Sequence, residues 1–221
     1  MTNYWDNRFL CHLETDKIKC IVEVGARYGD ESIMMSSIFK ESIVYAFECN
    51  PNTIDICKKN LVEHDRIKLF DVGLGEVETT LPFYSFTRDN DGASSLFKRI
   101  DFNETQQLSG YIKIQKLCDV MKNENVTHID LLCMDVQGYE LNVLKGCDTF
   151  LQNVKFIIME EPKKVINTQF LPKNCHSKYI GSPTPDDIST FMKKHNFIEI
   201  ARIDENAIED NVMYRNSNFN Y

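Results

Sequence analysis

"CIVEVGARYGDES", Cys20 to Ser32, holds the turn on which the fold depends. A branched apolar run reaches an acid, Glu23. Then come Gly25, three residues, Gly29, and the acid–serine stretch Asp30, Glu31 and Ser32. A short apolar run that closes on glycines and leads into polar residues has the form of a buried strand turning into a helix. Gly25 and Gly29 let the backbone turn sharply and let a ligand approach without meeting a Cβ. The helix that follows points free N–H groups at the same place, which favours a carboxylate or phosphate. Three readings stand at this point: a phosphate cradle, a nucleoside pocket, or a structural turn and nothing more.

Comparable apolar runs recur along the chain. They are 19–25, 42–49 ("SIVYAFEC"), 66–75 ("RIKLFDVGLG"), 128–136 ("HIDLLCMDV") and 154–160 ("VKFIIME"). Their length and branched content predict strands buried on both faces. Helices are predicted between them. Ser32 to Phe39 is short and Met-rich, and Met34 and Met35 read as core. In "NTIDICKKNLVEH", Ile54, Cys57 and Leu61 share one helical face, with Pro51 as first helical residue and Asn50 as its cap. "LNVLKGCDTFL" is a third helix, ended or bent at Gly146. Strand and helix in alternation predict a parallel α/β sheet with right-handed crossovers. The C-terminal part differs: a helix starting near Pro185 is followed by "FIEIARID" and "NVMYRN", which pair most simply as an antiparallel hairpin. The expected sheet is therefore mixed.

The totals narrow the class. At 221 residues the chain fits one domain with a full core and needs no disulfide or metal staples. Net charge is -8, which argues against nucleic acid as the main partner, since phosphate neutralisation calls for a basic surface. The N-terminus has no basic start followed by an apolar core, and no apolar run approaches the ~20 residues of a membrane span. The eight cysteines include no Cys-x-x-Cys pair. Reduced thiols, a cytoplasmic setting and no structural zinc are expected. Residues 1–19, with Phe9, Leu10 and His12, read as a covering segment. His64, His128 and His195 have no ligand spacing, and Lys163 and Lys164 read as a solvated face. The polar stretch 85–111 and the segment 162–184 flank the presumed opening, as binding loops do. Arg88, Asp89, Asp91, Ser94, Ser95, Tyr111, His176 and Tyr179 lie there and offer the hydrogen bonds and aromatic faces that a carbohydrate needs.

In open α/β sheets, ligands sit beyond the carboxyl ends of the strands. Glu23, Glu48 and Asp135 fall at such ends, and Asp71 falls near one. Glu48 closes the second strand, where an acid can accept hydrogen bonds from the vicinal hydroxyls of a ribose. Both NAD enzymes and S-adenosylmethionine enzymes use that arrangement. A dinucleotide fingerprint requires Gly-x-Gly-x-x-Gly. Here Arg27 occupies the second glycine position, and Asp30 and Glu31 add negative charge that repels a pyrophosphate. Glu23 beside the loop suits the cationic methionine end of S-adenosylmethionine. Arg27 itself stands open as pocket edge, substrate contact or partner of Asp30.

"VEVGARYGDES", "YAFECNP", "DVGLGE" and "IDLLCMDVQGYELNVLKG", in that order, resemble the FkbM family of S-adenosylmethionine-dependent methyltransferases over about residues 20–161. The resemblance implies a class I methyltransferase fold. That fold is a Rossmann-like seven-stranded mixed sheet with helices on both faces and a C-terminal antiparallel hairpin. It also implies roles. Glu23, Gly25 and Gly29 would line the methionine end, Glu48 the ribose, and Asp71 with Val72 the adenine edge; Arg27 and Ser32 count among the cofactor-binding residues without a fixed place. Asp135 would lie close to the transferred methyl group. Three positions depart from the family pattern. Glu23 stands where aspartate is common, Arg27 where asparagine is common, and Gln137 where glutamate is usual.

Methyl transfer from a sulfonium is an in-line displacement, so alignment is the main task. A hydroxyl acceptor gains from a base or metal that lowers its pKa. Asp135 is the candidate base. Glu160 and Glu161 end the next strand and, with Asp135, could hold Mg or Mn. The expected activity is O-methylation of a sugar or other hydroxylated small molecule, with Ser94, Ser95, Glu160, Glu161 and His176 toward the acceptor. Two alternatives remain: a non-catalytic cofactor- or glycan-binding module on the same fold, and an NAD-dependent enzyme. A small-molecule or glycan partner is expected in either case; oligomeric state is not legible.

Overall fold

A computed structural model describes residues 6–86, 88–99, 106–164, 177 and 179–219. In chain order its elements are α1 (Asn7–Leu10), β1 (Cys20–Val24), α2 (Asp30–Ile38), β2 (Ile43–Glu48), α3 (Ile54–Leu61), β3 (Ile67–Asp71), β4 (Gly73–Leu74) and β5 (Thr79–Ser85). They continue with β6 (Gln107–Gln115), α4 (Leu117–Asn123), β7 (Ile129–Met134), α5 (Glu140–Gly146), β8 (Val154–Pro162), α6 (Pro185–Lys194), β9 (Phe197–Asp204) and β10 (Glu209–Asn216).

Among the described residues the main sheet has seven strands in the order β3-β2-β1-β7-β8-β10-β9. β1 lies at its middle and is parallel to β2 on one side and β7 on the other. Only β10 runs against its neighbours, antiparallel to both β8 and β9. This is the expected mixed sheet with its C-terminal hairpin. Every residue of β1 and β7 is buried, which explains why both read as unbroken apolar runs rather than alternating ones.

Successive side chains point to opposite faces, so each strand feeds two cores. Val22, Phe47, Leu132 and Ile157 pack with Leu117 and Met121 of α4, Val143 and Leu144 of α5, and Ile188 and Met192 of α6. Ile21, Val44, Leu131, Phe156 and Met213 pack with Phe9 of α1, Met35 of α2, and Cys57 and Leu61 of α3. Burying each such side chain contributes about 1.5–3 kcal/mol. α6 starts as its sequence suggests: Thr184 and Asp187 form a reciprocal capping box with Pro185 at the first turn. The seven described cysteines are all free thiols. No helix among the described residues is long and apolar enough to cross a membrane.

Four local expectations change. Met34 is 43% exposed, so of the two methionines of α2 Met35 alone joins the core. α3 begins at Ile54 rather than Pro51. The carbonyl of Asn50 accepts from the N–H groups of Thr53 and Ile54, so residues 51–53 are spent in a turn. The third apolar run divides: β3 stays in the main sheet, while β4 leaves it to pair with β6. Gly73 permits that crossing, because a Cβ there would stand 2.7 Å from the Ile114 side chain. The polar stretch 85–111 is not wholly loop. Its ends belong to β5 and β6, an antiparallel pair that forms a second, three-stranded sheet with β4.

The chain order β1, β2, β3 runs outward in one direction, and β7, β8 in the other. The reversal falls between β1 and β7, so their carboxyl ends open a crevice there.

Candidate active site

Gly25 follows β1 directly and has φ +94°, a conformation that L side chains rarely adopt. A Cβ on it would lie 2.1 Å from the Asp135 carbonyl oxygen, which fixes the close approach of the two turns. Gly29, φ +86°, caps the start of α2, and Leu61 fills the space where its Cβ would be. The crevice between these turns holds a cavity of about 460 Å³. Glu23, Gly25, Arg27, Glu48, Val72, Asp135 and Glu160 line it, as do Ser94 and Ser95.

Glu48 is the best-fixed acid. It is 6% exposed, at the end of β2. One carboxylate oxygen accepts the backbone N–H of Arg27 at 2.5 Å, and the other accepts that of Asn50 at 2.6 Å. Burial still pushes its pKa up to about 7, against the pull of those donors. Glu23, 3% exposed, accepts from the Ser32 hydroxyl. Burial drives its pKa to about 8; the Ser32 bond opposes the rise, and neighbouring Glu31, Glu48 and Asp135 add to it. Two buried acids held above their ordinary range favour a ligand that brings positive charge or hydrogen-bond donors.

At the end of β7 the chain makes the turn Asp135–Tyr139. Gln137 has φ +55° and Gly138 φ +92°. Oε1 of Glu140 accepts the N–H groups of Val136 at 3.0 Å and Gly138 at 3.3 Å, which secures the turn. Burial raises Glu140 to about 8. The Gln137 side chain is the centre of this end. Its Nε2 donates to Asp135 Oδ1 at 2.6 Å and to Glu160 Oε2 at 3.1 Å. Its Oε1 accepts from the Tyr179 hydroxyl, and its backbone carbonyl accepts from Ser95 Oγ at 2.9 Å. Glu160 is pushed well above the usual carboxylate range by burial and by the facing carboxylates of Asp135, Glu209, Glu140 and Glu205.

Not every expected residue faces the cavity. Asp71 turns outward and pairs with Lys58 at 2.6 Å, leaving Val72 alone of that pair in the lining. Glu161 follows Glu160 in a strand and so points to the other face, where Tyr214 Oη donates to it at 2.5 Å and Arg202 pairs with it at 3.4 Å. Glu160 and Glu161 therefore do not converge on a metal. No group of three or more His, Cys, Asp or Glu side chains is placed to hold one among the described residues. Gly29 and Ser32 stand behind the lining, and Ser32 touches it through its bond to Glu23. His176 lies outside the described residues, and Ser94 and Ser95 use their hydroxyls within the protein.

Some lining residues were not expected. Phe47, Leu74, Phe83 and Tyr139 give an apolar flank, and Glu205, Asn206 and Glu209 arrive from the β9–β10 turn. β5 Phe83 reaches the cavity through the second sheet, which no local pattern announces. Arg27 pairs with Asp91 rather than Asp30, at 2.5 Å.

A seven-stranded mixed sheet closed by a C-terminal antiparallel hairpin, with a glycine turn and a buried strand-end acid at the switch point, is the architecture of the methyltransferase fold. A crystal structure of methyltransferase FkbM from Methylobacillus flagellatus KT aligns with a TM-score of 0.58 at 14% identity, covering 90% of this chain and 43% of that one. Fibrillarin from Aeropyrum pernix, in complex with S-adenosyl-L-methionine, aligns with a TM-score of 0.53 at 12% identity, covering 91% and 68%. The model of the family described as "Methyltransferase FkbM domain" matches residues 23–199, and the chain belongs to that family. Among curated relatives, the 2-O-methyltransferase NoeI of Sinorhizobium fredii is 24% identical over 63% of this chain and 62% of its own length. The hexuronic acid methyltransferase AglP of Haloferax volcanii is 28% identical over 69% and 62%. The chain thus spans about three-fifths of the length of these relatives.

Proposed function

We propose that the chain binds S-adenosylmethionine in this cavity and transfers its methyl group to a hydroxyl of a sugar or other small polyol. One observation carries the reading: Glu48, buried at the end of β2, is held by two backbone N–H groups and lines the cavity. That arrangement suits the two hydroxyls of a ribose. Val72, Leu74 and Phe83 would flank the adenine, and Glu23 would balance the methionine ammonium. The cofactor supplies the activated methyl group. The protein aligns acceptor oxygen, methyl and sulfur, and Asp135 accepts the proton that the hydroxyl loses. A hydroxyl acceptor is supported by NoeI, a 2-O-methyltransferase, and a sugar by AglP, a hexuronic acid methyltransferase.

The test is calorimetric titration with S-adenosylhomocysteine, followed by transfer from labelled S-adenosylmethionine to neutral, amino and acidic glycosides. Binding in the micromolar range is expected. A dissociation constant weaker than about 1 mM removes the reading. With an acceptor in hand, Asp135→Asn lowers kcat and leaves cofactor affinity in place if Asp135 is the base.

A further inference from the structure

Arg27 joins two walls of the cavity. Its backbone N–H holds Glu48, and its side chain reaches across to the segment 90–96. That segment, from Asn90 to Leu96, lines the cavity along one whole side. The contact is specific. Arg27 Nε and Nη2 both donate to Asp91 Oδ1, at 2.8 and 2.5 Å, and the Tyr28 hydroxyl donates to the other oxygen. The Asp91 side chain is 2% exposed, while that of Arg27 is 37% exposed. Gly92 fits beneath the guanidinium, where a Cβ would stand 3.3 Å from Cζ.

The two ends of the segment are held differently. The far end is bolted to the scaffold. Ser95 exchanges backbone hydrogen bonds with Tyr84 at 2.9 Å each, and its hydroxyl donates to the Gln137 carbonyl. The Tyr179 hydroxyl, which faces Gln137 Oε1, shares its proton with the Ala93 carbonyl at 3.0 Å. The near end, at Asp91 and Gly92, is held to the glycine turn through Arg27 and Tyr28. The near end is also tied to the far end, since the Asp91 carbonyl accepts the Ser94 N–H at 3.1 Å.

We propose that the Arg27–Asp91 pair is the gate through which the cofactor exchanges, which rests on the cofactor reading above. With the pair intact, the near end of the wall bars entry and exit alike. With it broken, the Tyr28 hydroxyl still touches Asp91, but that tie is too weak to stop the near end from swinging about residues 93–95, and both passages open. Arg27 is thus a positioning residue: its backbone serves Glu48 whatever its side chain, and its side chain sets the exchange rate. A small or neutral residue at position 27 would leave the ribose site intact and the gate unlocked.

The experiment is stopped-flow association and dissociation of S-adenosylhomocysteine with the full chain. The variants are Arg27→Met, Asp91→Asn, and the two together; Tyr28→Phe serves as a milder lesion on the same carboxylate if Asp91→Asn folds poorly. A gate slows both directions. Each single variant should therefore raise both the association and the dissociation rate by about tenfold, with Kd changed by less than about threefold. The double variant should go no further than Asp91→Asn alone, which already weakens the one bond that Arg27→Met removes. A pair that merely braces the site would raise dissociation and leave association unchanged or slower, and that result overturns the proposal. Additive effects in the double variant overturn it too. A wild-type chain that binds no S-adenosylhomocysteine overturns the cofactor reading itself.

Discussion

Glu48→Gln tests the ribose site with almost no change of shape. In the native turn each carboxylate oxygen accepts one backbone N–H, from Arg27 and from Asn50. A glutamine offers one carbonyl and one amide NH2, so one of those N–H groups then faces another donor. A buried donor left without an acceptor costs about 1–3 kcal/mol, which the free protein shows as lost stability. Binding suffers separately. Hydrogen bonds to a charged acceptor contribute about 1.5–3 kcal/mol and neutral ones about 0.5–1.5, so replacing two charged bonds to ribose hydroxyls forfeits about 2 kcal/mol, or about 30-fold in Kd. The carboxyl is held at about 7, so the comparison belongs at pH 8, where the wild-type group is mostly ionised. Calorimetric titration with S-adenosylhomocysteine gives the affinity, and thermal unfolding of the free protein gives the stability. A Kd within about threefold of wild type at pH 8 would refute the placement of the ribose against Glu48.

Glu23, Glu48, Glu140 and Glu160 all have pKa values raised by burial, so each favours folding in its protonated form. Their contribution is complete below the unfolded carboxyl range near pH 4.5; for Glu23, Glu48 and Glu140 it is lost as pH rises through about 7 to 8, and Glu160 is raised in the same direction. The free protein should therefore melt at lower temperature at pH 8 than at pH 5.5, and a flat profile would contradict the burial assignments. Binding of the ammonium of S-adenosylhomocysteine at pH 7 should expel protons from Glu23 and Glu48, so calorimetric enthalpies should vary with the ionisation enthalpy of the buffer. Equal enthalpies in phosphate and Tris would exclude that linkage. Gly25→Ala places a Cβ against the Asp135 carbonyl at a positive φ, and should lower the melting temperature by ten degrees or about that, or abolish soluble expression. Unchanged melting would show that the β1 and β7 turns can part. Gln137→Glu should destabilise strongly at pH 8 and little at pH 5.5, because it sets a third carboxylate against Asp135 and Glu160; a loss equal at both pH values would mean that only shape matters there.

The main sheet was legible because its strands are buried on both faces, and such strands write themselves as apolar runs. The second sheet was not. β6 carries Leu108 and Tyr111 exposed among polar residues, and its apolar anchor, Ile114, reveals itself only once β4 lies beside it. The same limit governs the site. Glu23, Glu48 and Asp135 sit at strand ends, where position along the chain fixes position in space. Asp71 sits at a strand end too, but its strand is the sheet's edge, and Lys58 on the preceding helix draws it outward. Glu160 and Glu161 differ by one residue and hence by one face, a distinction that needs the strand register. Asp91, 64 positions from Arg27, could be paired with it only through the fold.

Gln137 shows how a departure from the family pattern acquires a physical reason. A glutamate at this point would stand between Asp135 and Glu160 with no proton to offer either once ionised, and three carboxylates would share one buried corner. The amide resolves the conflict with two N–H bonds outward and one carbonyl turned to Tyr179. Its backbone, at φ +55°, costs on the order of 1 kcal/mol, and the bonds to Ser95 and Tyr179 hold it there. The replacement thus removes a charge without removing the structure that the charge would have organised. For the proposed chemistry the amide matters through geometry: its Nε2 donates to Asp135 Oδ1 at 2.6 Å and so fixes the orientation of that carboxylate at the end of β7.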